Sequence, residues 1–140
     1  MSKNITYISD FFVDHVIGGG ELNDDELIKL LEERKYKVKK TQSHLVNSKF
    51  LLDNKDSFFV ISNFCNLSPE SKRWISKNCR YIIYEHDHKY LNTRNPADFE
   101  NFKAPQDAIR DFFFYKGAEF VITQSTFHKN IIQDNLGLDN

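Results

Sequence analysis

Two short stretches hold the residue types that could do chemistry. Glu85-His86-Asp87-His88 sets two histidines two positions apart beside carboxylates. On a continuing strand such residues share a side, which leaves room for a metal between the imidazoles. The same residues suit a role without metal, because an imidazole titrates near neutrality and both donates and accepts hydrogen bonds; one histidine could act in acid–base work or hold a substrate. A third reading leaves them on a solvated loop. The second stretch is Gly18-Gly19-Gly20-Glu21. Residues without a Cβ can take φ > 0 and admit another molecule close to their N–H groups. A helical pattern follows, so these N–H groups would stand at a helix mouth, where orphan donors and the positive dipole end favour an anion. The plain alternative is a tight strand-to-helix connection with no ligand. Glu21, Asp24, Asp25 and Glu26 crowd the same turns; they complement the dipole but repel a phosphate unless they point away.

Other chemistries lack their motifs. Ser9, Ser62 and Ser125 stand at strand ends, yet none lies in G-x-S-x-G. The glycines form neither G-x-G-x-x-G nor a Walker loop, which argues against dinucleotide and nucleoside-triphosphate sites. A phospho-receiver domain is disfavoured by Thr123-Gln124, where such domains place a lysine. With 19 Lys and Arg against 20 Asp and Glu and no basic block, nucleic acid is not an expected partner. No apolar run approaches membrane-spanning length, and Met1-Ser2-Lys3-Asn4 leads straight into a strand-like run instead of a signal peptide; a cytoplasmic protein without a transmembrane segment is expected. Cys65 and Cys79 form no CxxC pair and read as reduced, small packing residues.

The elements that must position these residues follow from periodicity. At 140 residues the chain is one domain, 1–140, and its 13 Phe and six Tyr supply much of the apolar area of its core. A strand at 5–8 leads through the glycines into a helix in which Leu27, Leu30 and Leu31 recur at helical spacing with Ile28 on the flank. Residues 36–41 alternate as a half-exposed strand, with Tyr36 and Val38 on one face, and 44–52 read as a short amphipathic helix. Unbroken apolar runs at 58–61, 81–84 and 120–122 read as strands buried on both faces, as in a parallel sheet. Ser68-Pro69-Glu70 starts a helix to about Asn78. Pro105 opens one that carries Ile109, Phe112 and Phe113 inward and closes at Gly117 in a left-handed cap. Ser125 caps the last, with Phe127 and Ile131, then Ile132 and Leu136, as i, i+4 pairs, and Gly137 ends it. Strand and helix alternate about five times, the pattern of a Rossmann-like, doubly wound, mostly parallel α/β sheet. Ligands bind outside the carboxyl ends of such strands, so the informative loops are 9–21, 62–68, 85–103 and 123–125.

The run from Ile5 to Glu21 with its glycine turn, the helix through Leu31-Glu32-Glu33-Arg34-Lys35 and the strand at Tyr36-Lys37-Val38 resemble the amino-terminal domain of glycosyltransferase family 4. Lys35 stands where that family usually has glycine. Asn63-Phe64, His86-Asp87 and the 120–123 run leading to Ser125 match later landmarks in order. The resemblance implies one half of a GT-B architecture, two Rossmann-like domains facing across a cleft, and a retaining transfer of sugar from a nucleotide-sugar donor with no metal and no cofactor of its own. It further implies that His86 hydrogen-bonds the transferred sugar, with His88 the competing assignment. By the same resemblance Gly18, Gly19, Gly20 and Glu21 line the cleft, and Asn63, Asp87 and Ser125 are lesser contacts. The family's carboxyl-terminal domain, which binds the nucleotide and carries an acidic Glu-x7-Glu motif, has no counterpart in these residues. The expectation is an acceptor-side domain, inactive alone, whose partners are a sugar or glycan acceptor and a separate nucleotide-sugar-binding domain. Two rivals stand beside it: a metal-dependent hydrolase using His86, Asp87 and His88, and a non-catalytic α/β interaction module.

Overall fold

A computed structural model describes residues 3–138; Met1 and Ser2, at the start where no leader is expected, lie outside them. Five strands, β1 (Asn4–Ser9), β2 (Lys37–Gln42), β3 (Phe58–Ile61), β4 (Tyr81–Tyr84) and β5 (Val121–Ile122), form one sheet in the order β2-β1-β3-β4-β5. Every pairing is parallel. The helices are α1 (Gly19–Glu33), α2 (Ser48–Asp53), α3 (Pro69–Asn78), α4 (Phe112–Gly117) and α5 (Thr126–Leu136). This is the expected Rossmann-like, doubly wound α/β fold. Among the described residues no helix is long and apolar enough to cross a membrane.

β1 and β3 show no alternation in burial because both their faces are covered, whereas in β4 Tyr81 and Ile83 are buried and Ile82 and Tyr84 only half-buried, so the expectation of a strand covered on both faces does not hold there. Phe59 and Ile61 of β3 join Ile8, Ile75, Ile83, Phe114 and Tyr115 in one cluster, while Val60 joins Ile5, Tyr7 and Ile28 in another on the opposite face. Helices α2 to α5 supply the first cluster, whose centre is aromatic: Phe114 stacks on Tyr81 at 5.1 Å and meets Phe64 edge-on at 5.1 Å. Helix α1 supplies the second through Ile28, Leu27 and Leu31. With α1 and α3 on opposite faces, the chain parts between the carboxyl ends of β1 and β3, which is where an open α/β sheet forms its crevice.

Several expected details differ, each for a local reason. The glycine turn needs no positive φ: Gly18 is extended at φ −136°, and Gly19 and Gly20 already belong to α1. Lys35 instead takes φ 71°, so the chain enters β2 through a left-handed residue that is not glycine. The 44–52 helix splits into a single turn at Ser43–Leu45 and α2, because Asn47 accepts the Phe50 N–H and starts a new helix. Pro105 precedes only a short turn at Gln106–Ala108; α4 begins at Phe112 and buries Phe114 and Tyr115, leaving Phe112 and Phe113 at 44% and 43% exposure. Gly117 is the last residue of α4, not a left-handed cap; a Cβ there would meet the Tyr81 hydroxyl at 2.5 Å. Gly137 does cap α5, at φ 65°. In α1 the buried apolar residue is Ile28, and Leu30 is exposed. Strand β5 is an edge strand, so Phe120 and Ile122 stay exposed. Phe127 also remains exposed, against Phe102. Cys79 packs against the core, whereas Cys65 is exposed.

Candidate functional site

Parallel strands bring all their carboxyl ends to one edge, and three separate expectations meet there. A Cβ on Gly20 would lie 3.3 Å from Asn63 Nδ2 and 3.3 Å from His86 Cδ2. The first turn of α1, the loop after β3 and the loop after β4 are therefore in contact. Asn63 is held from behind: its carbonyl accepts the Asp10 N–H at 2.8 Å and the Ser43 hydroxyl at 3.1 Å. Asp10 pins the same loop through its carboxylate, which accepts the Cys65 and Asn66 N–H groups at 2.9 Å.

His86 is clamped on every side. Its Nε2 lies 3.0 Å from Asp24 Oδ1, its Nδ1 lies 2.7 Å from Gln124 Nε2, and its ring packs on Tyr84 at 4.4 Å. The side chain is 7% exposed and that of Asp24 is 0% exposed. Asp24 also accepts the Tyr7 hydroxyl, and at 2.8 Å the Ser62 hydroxyl. Burial, and then the Asp24 carboxylate, push the Tyr7 phenol far above its ordinary range, so Tyr7 is a permanent donor. The crowded acids thus separate by role: Asp24 turns inward, Asp25 pairs with Lys29 at 2.9 Å, and the Glu21 carboxylate folds back within 2.6 Å of where a Gly18 Cβ would be. That last placement sets a negative charge beside the α1 mouth and opposes a bare phosphate there.

The neighbouring residues form a second, different network. Lys89 Nζ donates to Glu85 and lies 3.4 Å from both Asp87 Oδ1 and Asn63 Oδ1, over the Phe64 ring at 5.2 Å. Glu85 also accepts the Tyr115 hydroxyl. Burial pulls the Lys89 ammonium below the usual lysine range; Arg94 adds to this, and Cys65, Asp10 and Asp24 oppose it. Asp87 is taken up by Arg94. His88 faces elsewhere from His86, with Nδ1 2.7 Å from the Tyr90 hydroxyl and its ring 4.7 Å from His128. Burial first, and then His128, lower its imidazole to about 4 against the opposing effect of Asp87.

The two histidines therefore do not converge, which corrects the metal reading of His86, Asp87 and His88. Among the described residues no group of three His, Cys, Asp or Glu side chains could hold a metal ion. The separation has a simple cause: β4 ends at Tyr84, so the strict alternation that would align them stops before His86. Ser125 caps α5 by accepting the His128 N–H at 3.1 Å, a structural duty at the rim of the site. Comparison with known proteins finds no matching family model, no matching curated protein and no matching solved structure.

Tyr7, Asp24, Ser62, Lys89 and Gln124 were not among the residues expected at the site. A signal for Asp24 does exist. Asp24, Leu27, Ile28 and Leu31 fall at i, i+3, i+4 and i+7, so a carboxylate occupies the apolar stripe of α1. An acid there has to be met by buried donors. Which donors come from β1 and β3 is not encoded within the helix.

Proposed function

We propose that this chain is the acceptor-side domain of a retaining glycosyltransferase, working with a nucleotide-sugar-binding domain. The observation that carries the reading is the contact of Gly20, Asn63 and His86 at the carboxyl edge of the sheet, beside the crevice between β1 and β3. Open α/β sheets bind ligands at that place. Amide, imidazole and backbone N–H groups there suit neutral hydroxyl-bearing ligands, while Glu21 disfavours a free anion. The left-handed Lys35 adds support, since it occupies the turn where the resembled family uses glycine. In this reading the first-turn N–H groups of α1 reach the donor's diphosphate only when a second domain brings cations to offset Glu21. Those donors are preorganised, so they stabilise charge developing on the leaving group without rearrangement.

The test is a backbone and side-chain NMR titration of the isotope-labelled chain with methyl glucoside and with a panel of oligosaccharides. Shifts confined to Gly19, Gly20, Asn63 and His86, and lost in Gly20→Val, are expected. Turnover of a nucleotide sugar is expected only after a donor-binding domain is added. A panel that moves no resonance at this edge would sink the reading.

One observation favours the second reading, an interaction module. Beside α1 the sheet is left open as a groove of about 190 Å³ lined by Ile5, Leu27, Leu31, Val60, Ile82 and Ile122. If that face were the functional one, Gly20→Val and His86→Ala would leave partner binding unchanged.

A further inference from the structure

We propose that Asp24 is a positioning residue that fixes His86 in the Nε2–H form, and that Gln124 is a displaceable cap on the Nδ1 lone pair this form turns toward the β5–α5 turn. Donor and acceptor capacities decide the ring form. An ionised carboxylate only accepts, and Asp24 gathers the Tyr7 hydroxyl and His86 Nε2 on one oxygen and the Ser62 hydroxyl on the other. A proton on His86 Nε2 completes this set; without it, an imidazole lone pair would face a carboxylate oxygen at 3.0 Å. In the neutral ring Nδ1 is then the acceptor. Gln124 is oriented to match, because its Oε1 accepts the Asn23 side-chain amide at 3.2 Å and its Nε2 is left to donate to Nδ1 at 2.7 Å.

The two partners differ in permanence. Asp24 is fully buried and joined to three elements, whereas Gln124 is exposed and held through its backbone N–H, which donates to His128 Nδ1 at 3.1 Å. A ligand donor can therefore replace the Gln124 amide without disturbing the Asp24 side. The ring is thus set to receive a hydrogen bond, which selects a hydroxyl over an anion.

Long-range proton–nitrogen NMR of the histidine side chains tests this directly. In the wild type His86 Nε2 should fall in the protonated range and Nδ1 in the unprotonated range. Asp24→Asn, whose amide oxygen can take the same place, should retain that pattern, while Asp24→Ala should mix the two forms. Gln124→Glu, a surface change that does not threaten folding, puts an acceptor against Nδ1 and should leave both nitrogens protonated at neutral pH. Gln124→Ala should tighten methyl glucoside binding roughly fivefold, the weight of one neutral hydrogen bond. A wild-type ring protonated at Nδ1, or a Gln124→Glu spectrum unchanged from wild type, overturns the assignment. The role of the cap rests on the sugar-site reading, and the two fail separately: the expected ring form with no response to methyl glucoside would refute the sugar site and leave the role of Asp24 standing.

Discussion

A Cβ placed on Gly20 would stand 3.3 Å from His86 Cδ2, so a side chain here is crowded by its neighbour and not by the backbone angles. Gly19, one residue earlier, has nothing within 4 Å of the same position. The two glycines should therefore respond oppositely. Gly19→Ala is expected to be neutral or stabilising by up to about 1 kcal/mol, the helical advantage of alanine. Gly20→Val should destabilise by about 1–3 kcal/mol through overpacking and should shift the His86 ring resonances. Urea unfolding of both variants checks the contrast; equal responses would mean that Gly20 is not in contact with the imidazole.

Lys35 sits at φ 71°, a conformation that costs an L-residue with a Cβ roughly 1–2 kcal/mol. Glycine adopts it freely but is more disordered in the unfolded chain. Lys35→Gly should raise stability by about 0.5–1 kcal/mol, read as a higher melting temperature. Lys35→Val should lower it.

The pH dependence of stability should carry a contribution from His88. Burial holds its folded-state value at about 4, below the ordinary 6.5. Between these two values the unfolded chain binds a proton that the folded one refuses, so this contribution is present above about pH 6.5 and is lost as the pH falls toward about 4. His88→Gln should flatten the difference between urea midpoints measured at neutral pH and at pH about 5. A variant with the wild-type slope would assign the effect to another group.

Lys89 and Glu85 form a buried pair, 2% and 0% exposed at their side chains. Lys89→Met strands the Glu85 carboxylate with, among the described residues, the Tyr115 hydroxyl as its remaining side-chain partner, and a loss of about 3–5 kcal/mol is expected. Adding Glu85→Gln should recover part of it, since the stranded charge causes most of the damage. The Asn63 side-chain amide should move in the single variant, because Lys89 Nζ lies 3.4 Å from its oxygen. Strict additivity of the two changes would contradict a coupled pair.

The sequence by itself determined the sheet. Unbroken apolar runs at β3 and β4, the Ser68-Pro69 start of α3 and the Gly137 cap of α5 are local patterns with local causes, and each formed where its residues dictate. That Gly20, Asn63 and His86 lie at one edge was legible too, because strand ends in a parallel sheet share an edge. Tertiary structure decided what those residues can do. Asp24 meets Tyr7, Ser62 and His86 across separations of 17, 38 and 62 residues, and no local period predicts such a meeting. The parting of His86 from His88, and the burial of Phe114 in place of Phe112, were also settled by packing. The physical reason is common to all of them: hydrophobic periodicity specifies which face of an element is covered, whereas the partner of a buried polar atom is set by which other elements come to lie against that face.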